Sequence, residues 1–472
     1  MHLTRRQVIA GAAVATTGVT GWVLNGPGGA IASGQSRALP IEGNHNLPSQ
    51  VDCVIIGGGI VGCVAALTLA ERGVSVALCE KGVIAGEASG RALGHIEDSY
   101  LDPIKLPLTT RSKELWLRMN GRIGADTGYC GGGGVSCLKS DEDVSLAEEW
   151  LKSIRGVPSV KASLIDRSAL EAFGIKGDIA LKGALFNETD AQGDPRFAAP
   201  RIARAAQMHG VKVLQQCAVR GVETKGGHVC GVITEHGSIK TSAVILAGGV
   251  WSPLFARHLG LDLPQFEAYG SVISIGPTAG PMLGGEGNDI VWRREGDGGY
   301  ALCFQSGAAP ITPTTLRYLP RLIPAMKALW SQLDPVVSLS TFWREARTSS
   351  AWSEDSVTPF ETMRILQPEV RNKLMDHLLK VSKKTFPSFS GVSERERWAG
   401  ALMCTLDNMP VISSVSNCPG LYLGTGFYYG FTMGPAGGEA LADMVTGQKP
   451  QFDLTPYRYD RFADGSPLIF RD

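Results

Sequence analysis

The residues best suited to chemistry begin at Gly57. The run Gly57-Gly58-Gly59-Ile60-Val61-Gly62 carries the spacing G-x-G-x-x-G, and Glu80 follows 18 residues after the last glycine. In such a turn Gly57 permits a tight bend, Gly59 lets the main chain approach a pyrophosphate, and Gly62 lets a helix pack closely on a strand. Ile60 and Val61 then open the helix, where unsatisfied N–H groups and the helix dipole favour an anion. Glu80 is spaced to hold the two hydroxyls of a ribose. These residues predict one dinucleotide site, with FAD and NAD both open. Gly131-Gly132-Gly133-Gly134 lacks the third glycine of the pattern and reads as a turn.

Three elements must surround that site. Val51-Asp52-Cys53-Val54-Ile55-Ile56 is a β-branched run suited to a buried parallel strand. Cys63 to Gly73 has helical spacing and ends at a glycine stop. Val74 to Cys79 forms a second apolar strand that delivers Glu80. Strand, glycine turn, helix and strand together predict a Rossmann-type α/β domain.

Composition narrows the rest. The chain has 472 residues, 44% of them hydrophobic, which excludes a disordered protein and allows more than one domain. Its 45 basic and 45 acidic side chains cancel, so no nucleic-acid partner is expected. The 59 glycines exceed the usual share of about 7% without any collagen period, and they point to tight turns or to backbone lying against a large ligand.

Arg5 and Arg6 stand directly before an uncharged apolar run, Val8 to Leu24, and Ala30-Ile31-Ala32 offers an A-x-A cleavage site. Residues 1–32 therefore read as a Tat-type signal or membrane anchor, and 33–49 as a linker. The expected location is a bacterial inner membrane or periplasm. The ten cysteines show no C-x-x-C spacing and no histidine at ligand distance, so no metal site is expected. Cys130 and Cys137 flank the glycine run and are placed to pair across a hairpin in an oxidising compartment.

Lys81-Gly82-Val83-Ile84-Ala85-Gly86-Glu87-Ala88-Ser89-Gly90-Arg91 resembles the second FAD loop of the D-amino-acid oxidase (DAO) family. Ala243-Val244-Ile245-Leu246-Ala247-Gly248-Gly249-Val250-Trp251, Asp407-Asn408-Met409-Pro410 and Gly426 to Pro435 are similar to that family's further cofactor segments. The resemblance is strongest to membrane-associated bacterial L-amino acid deaminases. It rests on Ala70-Glu71-Arg72-Gly73, Glu80-Lys81-Gly82, Ile84-Ala85-Gly86-Glu87, the twin-arginine start, the Trp292–Tyr300 run and the ending Pro456-Tyr457-Arg458-Tyr459-Asp460-Arg461-Phe462. It implies non-covalent FAD, with Lys81, Ala88, Ser89, Arg91, Leu93, Gly94, Val219, Ala247, Gly248, Trp251, Gly426, Gly430, Phe431, Thr432 and Met433 at the cofactor. A helix starting after Gly434 would aim its positive end at the flavin N1–C2=O edge, where charge accumulates on reduction.

The family implies oxidation of the C–N bond of an amino acid or related amine by hydride transfer to flavin N5. The imine would then hydrolyse to an oxo product and ammonia, with electrons passing to the respiratory chain or oxygen. Oxidation of a 2-hydroxy acid, or a non-catalytic electron-transfer subunit, are the alternative expectations. The chain departs from the deaminases where substrate would lie. Their carboxylate-clamping arginine, suited to that group by its bidentate fork, is matched here by Gln305. His95 stands after the second FAD loop, and Tyr428 and Tyr429 stand in a segment of different length. Two readings follow. The carboxylate is caught by Arg293, Arg294, Arg344 or Arg347, or the substrate lacks one and its nitrogen sits in an aromatic cage.

The expected architecture is α/β: a Rossmann-type FAD domain with a mainly parallel sheet (50–100, 190–265 and 395–450). It is interleaved with an α+β substrate domain on a largely antiparallel sheet (101–189 and 266–394), and 451–472 forms a tail. A helix is expected from Glu361 to Phe386 in the substrate domain.

Overall fold

The computed structural model describes residues 36–471, apart from 158, 177–178, 180–181 and 324–332. The twin-arginine segment and residues 33–35 of the linker lie outside the described residues. Among the described residues, no helix is long and apolar enough to cross a membrane.

Six strands form a mainly parallel sheet in the order Val411–Ser414, Leu421–Thr425, Ala243–Leu246, Cys53–Ile56, Val76–Cys79 and Lys212–Leu214. Only the edge pair Val411–Ser414 and Leu421–Thr425 is antiparallel. Val76–Cys79 is buried along its whole length. A strand covered on both faces has no solvent side to alternate with, so it reads as a continuous apolar run.

The helix Ile60–Glu71 starts at the glycine turn and is buried from Ile60 to Leu69. A helix apolar all round needs cover on every side. The helices Ala198–Met208 and Gly430–Val445 supply it. Two glycines allow the second of these to come close. A Cβ on Gly434 would lie 2.6 Å from Ile60 Cγ2, and one on Gly438 2.5 Å from the Val61 carbonyl oxygen.

A ten-stranded sheet forms the other half. Gln265–Ile275 lies at its centre, pairing antiparallel with Tyr300–Phe304 and with Glu394–Thr405. Most neighbours are antiparallel, but Gly284–Gly287 adds parallel to Gly134–Leu138 and so joins the two parts of the sheet. Glu394–Thr405, which the sequence grouping placed with 395–450, belongs to this sheet by register. Trp292, Tyr300, Phe386 and Phe389 pack beneath it.

Three further expectations differ from the structure. The single helix from Glu361 to Phe386 is two helices, Pro359–Thr362 and Asn372–Thr385. Pro368 disfavours helical backbone before it, and 363–366 has other partners, described below. The C-terminal helix starts at Gly430, not after Gly434, and carries Pro435 inside it. No disulfide links Cys130, which is exposed, to Cys137, which is buried.

Candidate active site

One long cavity runs from the glycine turn, past the N-terminus of Gly430–Val445, to the face of the ten-stranded sheet. At its first end the main chain defines the wall. Gly57 has φ +114°, and a Cβ there would lie 2.4 Å from the Ala247 carbonyl oxygen. A Cβ on Gly62 would lie 2.1 Å from the Gly57 carbonyl oxygen, which fixes this glycine as the contact between helix and turn. The Ile60 N–H donates to Ser89 Oγ at 2.9 Å. Glu80 accepts the N–H groups of Gly58 and Gly82, both at 2.7 Å. Burial raises the Glu80 carboxyl above its usual range, against the pull of Lys81 and these two donors. A carboxylate has about four acceptor sites, so two remain for further donors such as ribose hydroxyls.

The loop after Glu80 is sealed from outside. Lys81 Nζ donates to Glu87 Oε1 (2.7 Å) and to the carbonyls of Met363 (2.9 Å) and Arg364 (2.8 Å). Glu87 also accepts the Trp251 indole N–H and the Leu366 N–H. Arg91 donates to the Leu366 carbonyl at 2.8 Å, and Trp398 donates to the Arg91 carbonyl. The break between Pro359–Thr362 and Asn372–Thr385 thus places 363–366 against the loop. Glu87 and Arg364 line the cavity and were not foreseen as site residues.

Gly430, Phe431 and Thr432 bring a second helix N-terminus to the same cavity. Pro435 has no N–H to give to the Phe431 carbonyl four residues earlier. The Trp116 indole donates to that oxygen instead, at 3.0 Å, and its ring stacks on Phe431 at 4.8 Å. Two helix starts facing one cavity, a backbone cradle closed to any Cβ and a ribose-ready carboxylate are the features a dinucleotide needs.

At the other end side chains define the wall. His95 Nε2–H donates to the Trp292 carbonyl at 2.8 Å, and Nδ1 lies 3.1 Å from Glu97 Oε2. Burial pulls the imidazole pKa down, but the charge and hydrogen bond of Glu97 with the Trp292 carbonyl outweigh it, and the net direction is upward. Thr432 Oγ1 donates to the His95 carbonyl, tying this wall to the helix start. Gln305 donates from Nε2 to Glu286. The rings of Tyr428 and Tyr429 meet edge to face at 5.0 Å. Glu97 and Glu286, also unforeseen, line the cavity with all four predicted substrate-end residues.

The four candidate arginines do not line it. Arg293 donates to the Leu93 carbonyl and to Glu295, behind the wall at Gly94. Arg344 is paired with Glu267 at 2.6 Å, and Arg347 lies over the Trp343 ring. Of the predicted cofactor residues, all line the cavity except Gly62 and Met433, which are buried behind it. Among the described residues, no group of three His, Cys, Asp or Glu side chains could hold a metal ion.

The solved L-amino acid deaminase from Proteus myxofaciens, in complex with anthranilate, has the same fold. It is 36% identical, with a TM-score of 0.89 over 92% of this chain and 98% of that one. The L-amino acid deaminase from Proteus vulgaris is 32% identical, with a TM-score of 0.84 over 89% and 99%. Mitochondrial sarcosine dehydrogenase of Homo sapiens is 22% identical over 92% of this chain, and the chain spans 44% of that relative's length. Residues 52–444 match the family described as FAD dependent oxidoreductase, DAO. The fold is an α/β DAO fold, one mainly parallel sheet beside a large, mostly antiparallel one, and the chain belongs to the DAO family of FAD-dependent, amino-acid-oxidising flavoenzymes.

Proposed function

We propose that this enzyme oxidises the C–N bond of an amino acid or related amine with non-covalently held FAD. One observation carries the reading. The helix start at Gly430–Thr432 and a wall of Glu97, His95, Glu286, Gln305, Tyr428 and Tyr429 meet in one cavity. The bound flavin supplies a two-electron, hydride-accepting centre. The chain's residues hold the rest: Gly57, Gly59, Ile60 and Val61 approach the pyrophosphate, Glu80 the ribose, and Lys81 to Gly94 close the loop over it. At the other end a substrate nitrogen is received by acceptors. A carboxylate beside an ammonium takes its proton, leaving the lone pair that drives hydride loss from carbon. Water then hydrolyses the imine to a carbonyl product and ammonia.

The finer reading includes a respiratory quinone or oxygen as electron acceptor, and export with membrane attachment through residues 1–32. The test is anaerobic mixing of the flavin-loaded enzyme with panels of amino acids, amines and 2-hydroxy acids. Bleaching of the flavin by members of the first two panels is expected. Bleaching by 2-hydroxy acids alone overturns C–N oxidation, and reduction only through a partner protein assigns an electron-transfer subunit.

A further inference from the structure

We infer that the substrate is a cationic amine without a free α-carboxylate, such as an amine, amide or ester, its ammonium held between Glu97 and Glu286. The inference rests on the C–N reading above and names the substrate class of that site.

Among the described residues, the lysine and arginines lining the cavity are Lys81, Arg91 and Arg364. All three belong to the sealed loop and the segment that covers it: Lys81 is on Glu87 and two carbonyls, Arg91 on the Leu366 carbonyl, and Arg364 on Glu235. The far end holds Glu97 and Glu286 instead. His95 cannot stand in for a carboxylate clamp. One of its nitrogens donates to the Trp292 carbonyl and the other faces Glu97.

The two acids share a wall through backbone geometry. A Cβ on Gly284 would lie 3.1 Å from His95 Nε2, so residue 284 faces the histidine that carries Glu97. Glu286 is two residues further along the same strand and therefore on the same face. Gln305 donates to Glu286 and so orients that acid. A carboxylate entering here meets Glu97 and Glu286, and the lysine and arginines that line the cavity stand at its other end. An ammonium meets the two carboxylates, in a cavity that Tyr428 and Tyr429 also line.

Matched ligands test this. The enzyme is mixed anaerobically with phenylalanine, phenylalaninamide and 2-phenylethylamine, and with the leucine equivalents. Binding of benzyltrimethylammonium, which cannot be oxidised, is compared with that of benzoate by the shift in the flavin spectrum. The amide or amine should reduce the flavin with kcat/KM at least about tenfold above the amino acid, and the cation should bind more tightly than benzoate by a similar factor. Glu286→Gln and, separately, Glu97→Gln should weaken the cation with flavin content retained, and Gln305→Arg should reverse the order. Reduction by the free amino acids at a kcat/KM equal to or above that of the amides overturns the inference and leaves C–N oxidation standing, as does tighter binding of benzoate. If no amine, amide or amino acid reduces the flavin, C–N oxidation fails first, whatever binds.

Discussion

The two ends of the cavity are built from different materials. At Gly57–Gly62 the wall is main chain, and added atoms would strike carbonyl oxygens 2.1–2.4 Å away. At Glu97, Glu286 and Gln305 it is side chain, carried within or just past the end of strands whose backbone is paired elsewhere. A backbone wall accepts almost no substitution without losing its shape. A side-chain wall changes its chemistry one residue at a time while the fold stays intact. One family can therefore share the cofactor end and diverge at the substrate end.

The largest expected effect lies at the first end. Gly62→Ala forces a Cβ into the Gly57 carbonyl, and overpacking costs about 1–3 kcal/mol, occasionally more. The purified variant should carry little flavin or fail to accumulate, read as the flavin-to-protein ratio and yield. Gly59→Ala meets only the Ser89 hydroxyl within the protein, at 3.1 Å, so it should accumulate normally even where its Cβ crowds the pyrophosphate. Equal losses of yield for the two would break the contrast drawn above. Next is Glu80→Ala, which leaves the Gly58 and Gly82 N–H groups without their acceptor, at about 1–3 kcal/mol for each one that stays buried. FAD titration of the apoprotein should show at least about a tenfold weaker Kd.

At the second end the effects are on turnover, not assembly. Glu286→Gln should lower kcat/KM for the amine by about tenfold while Tm and flavin content hold. If flavin were lost as well, the two ends would not be separable. His95→Gln gives the smallest effect, visible only against pH. The folded protein raises the imidazole pKa above its ordinary 6.5, so the interaction stabilises fully below 6.5 and is lost as pH climbs through the raised value. The wild type's Tm advantage over His95→Gln should shrink across that window; an advantage that grows with pH would reverse the sign of the argument.

The same contrast explains what could be read in the sequence. Gly57 to Glu80 is legible because strand, turn, helix and strand are consecutive and each glycine answers a local need. The substrate wall is not. Glu286 lies in Gly284–Gly287, which joins Ile290–Arg294 to Gly134–Leu138, a partner some 150 residues earlier, and no local pattern announces that second pairing. A lone acid inside Gly284-Gly285-Glu286-Gly287 was the available signal. The helix start was misplaced for a similar reason. Pro435 reads locally as a first-turn proline, but the donor that Trp116 gives to the Phe431 carbonyl, across 315 residues of chain, lets it sit deeper.

The Lys81 contacts carry a consequence for the life of the chain. Its partners Met363 and Arg364 are synthesised 282 and 283 residues later. On the ribosome the glycine turn emerges early, but the outer wall of its pocket does not yet exist. Nucleotide retention belongs to the finished polypeptide, so a chain ending before Met363 should release FAD even with its turn correctly formed. A proteolytic nick between 363 and 371 should do the same, marking the enzyme for clearance without touching a residue that contacts substrate.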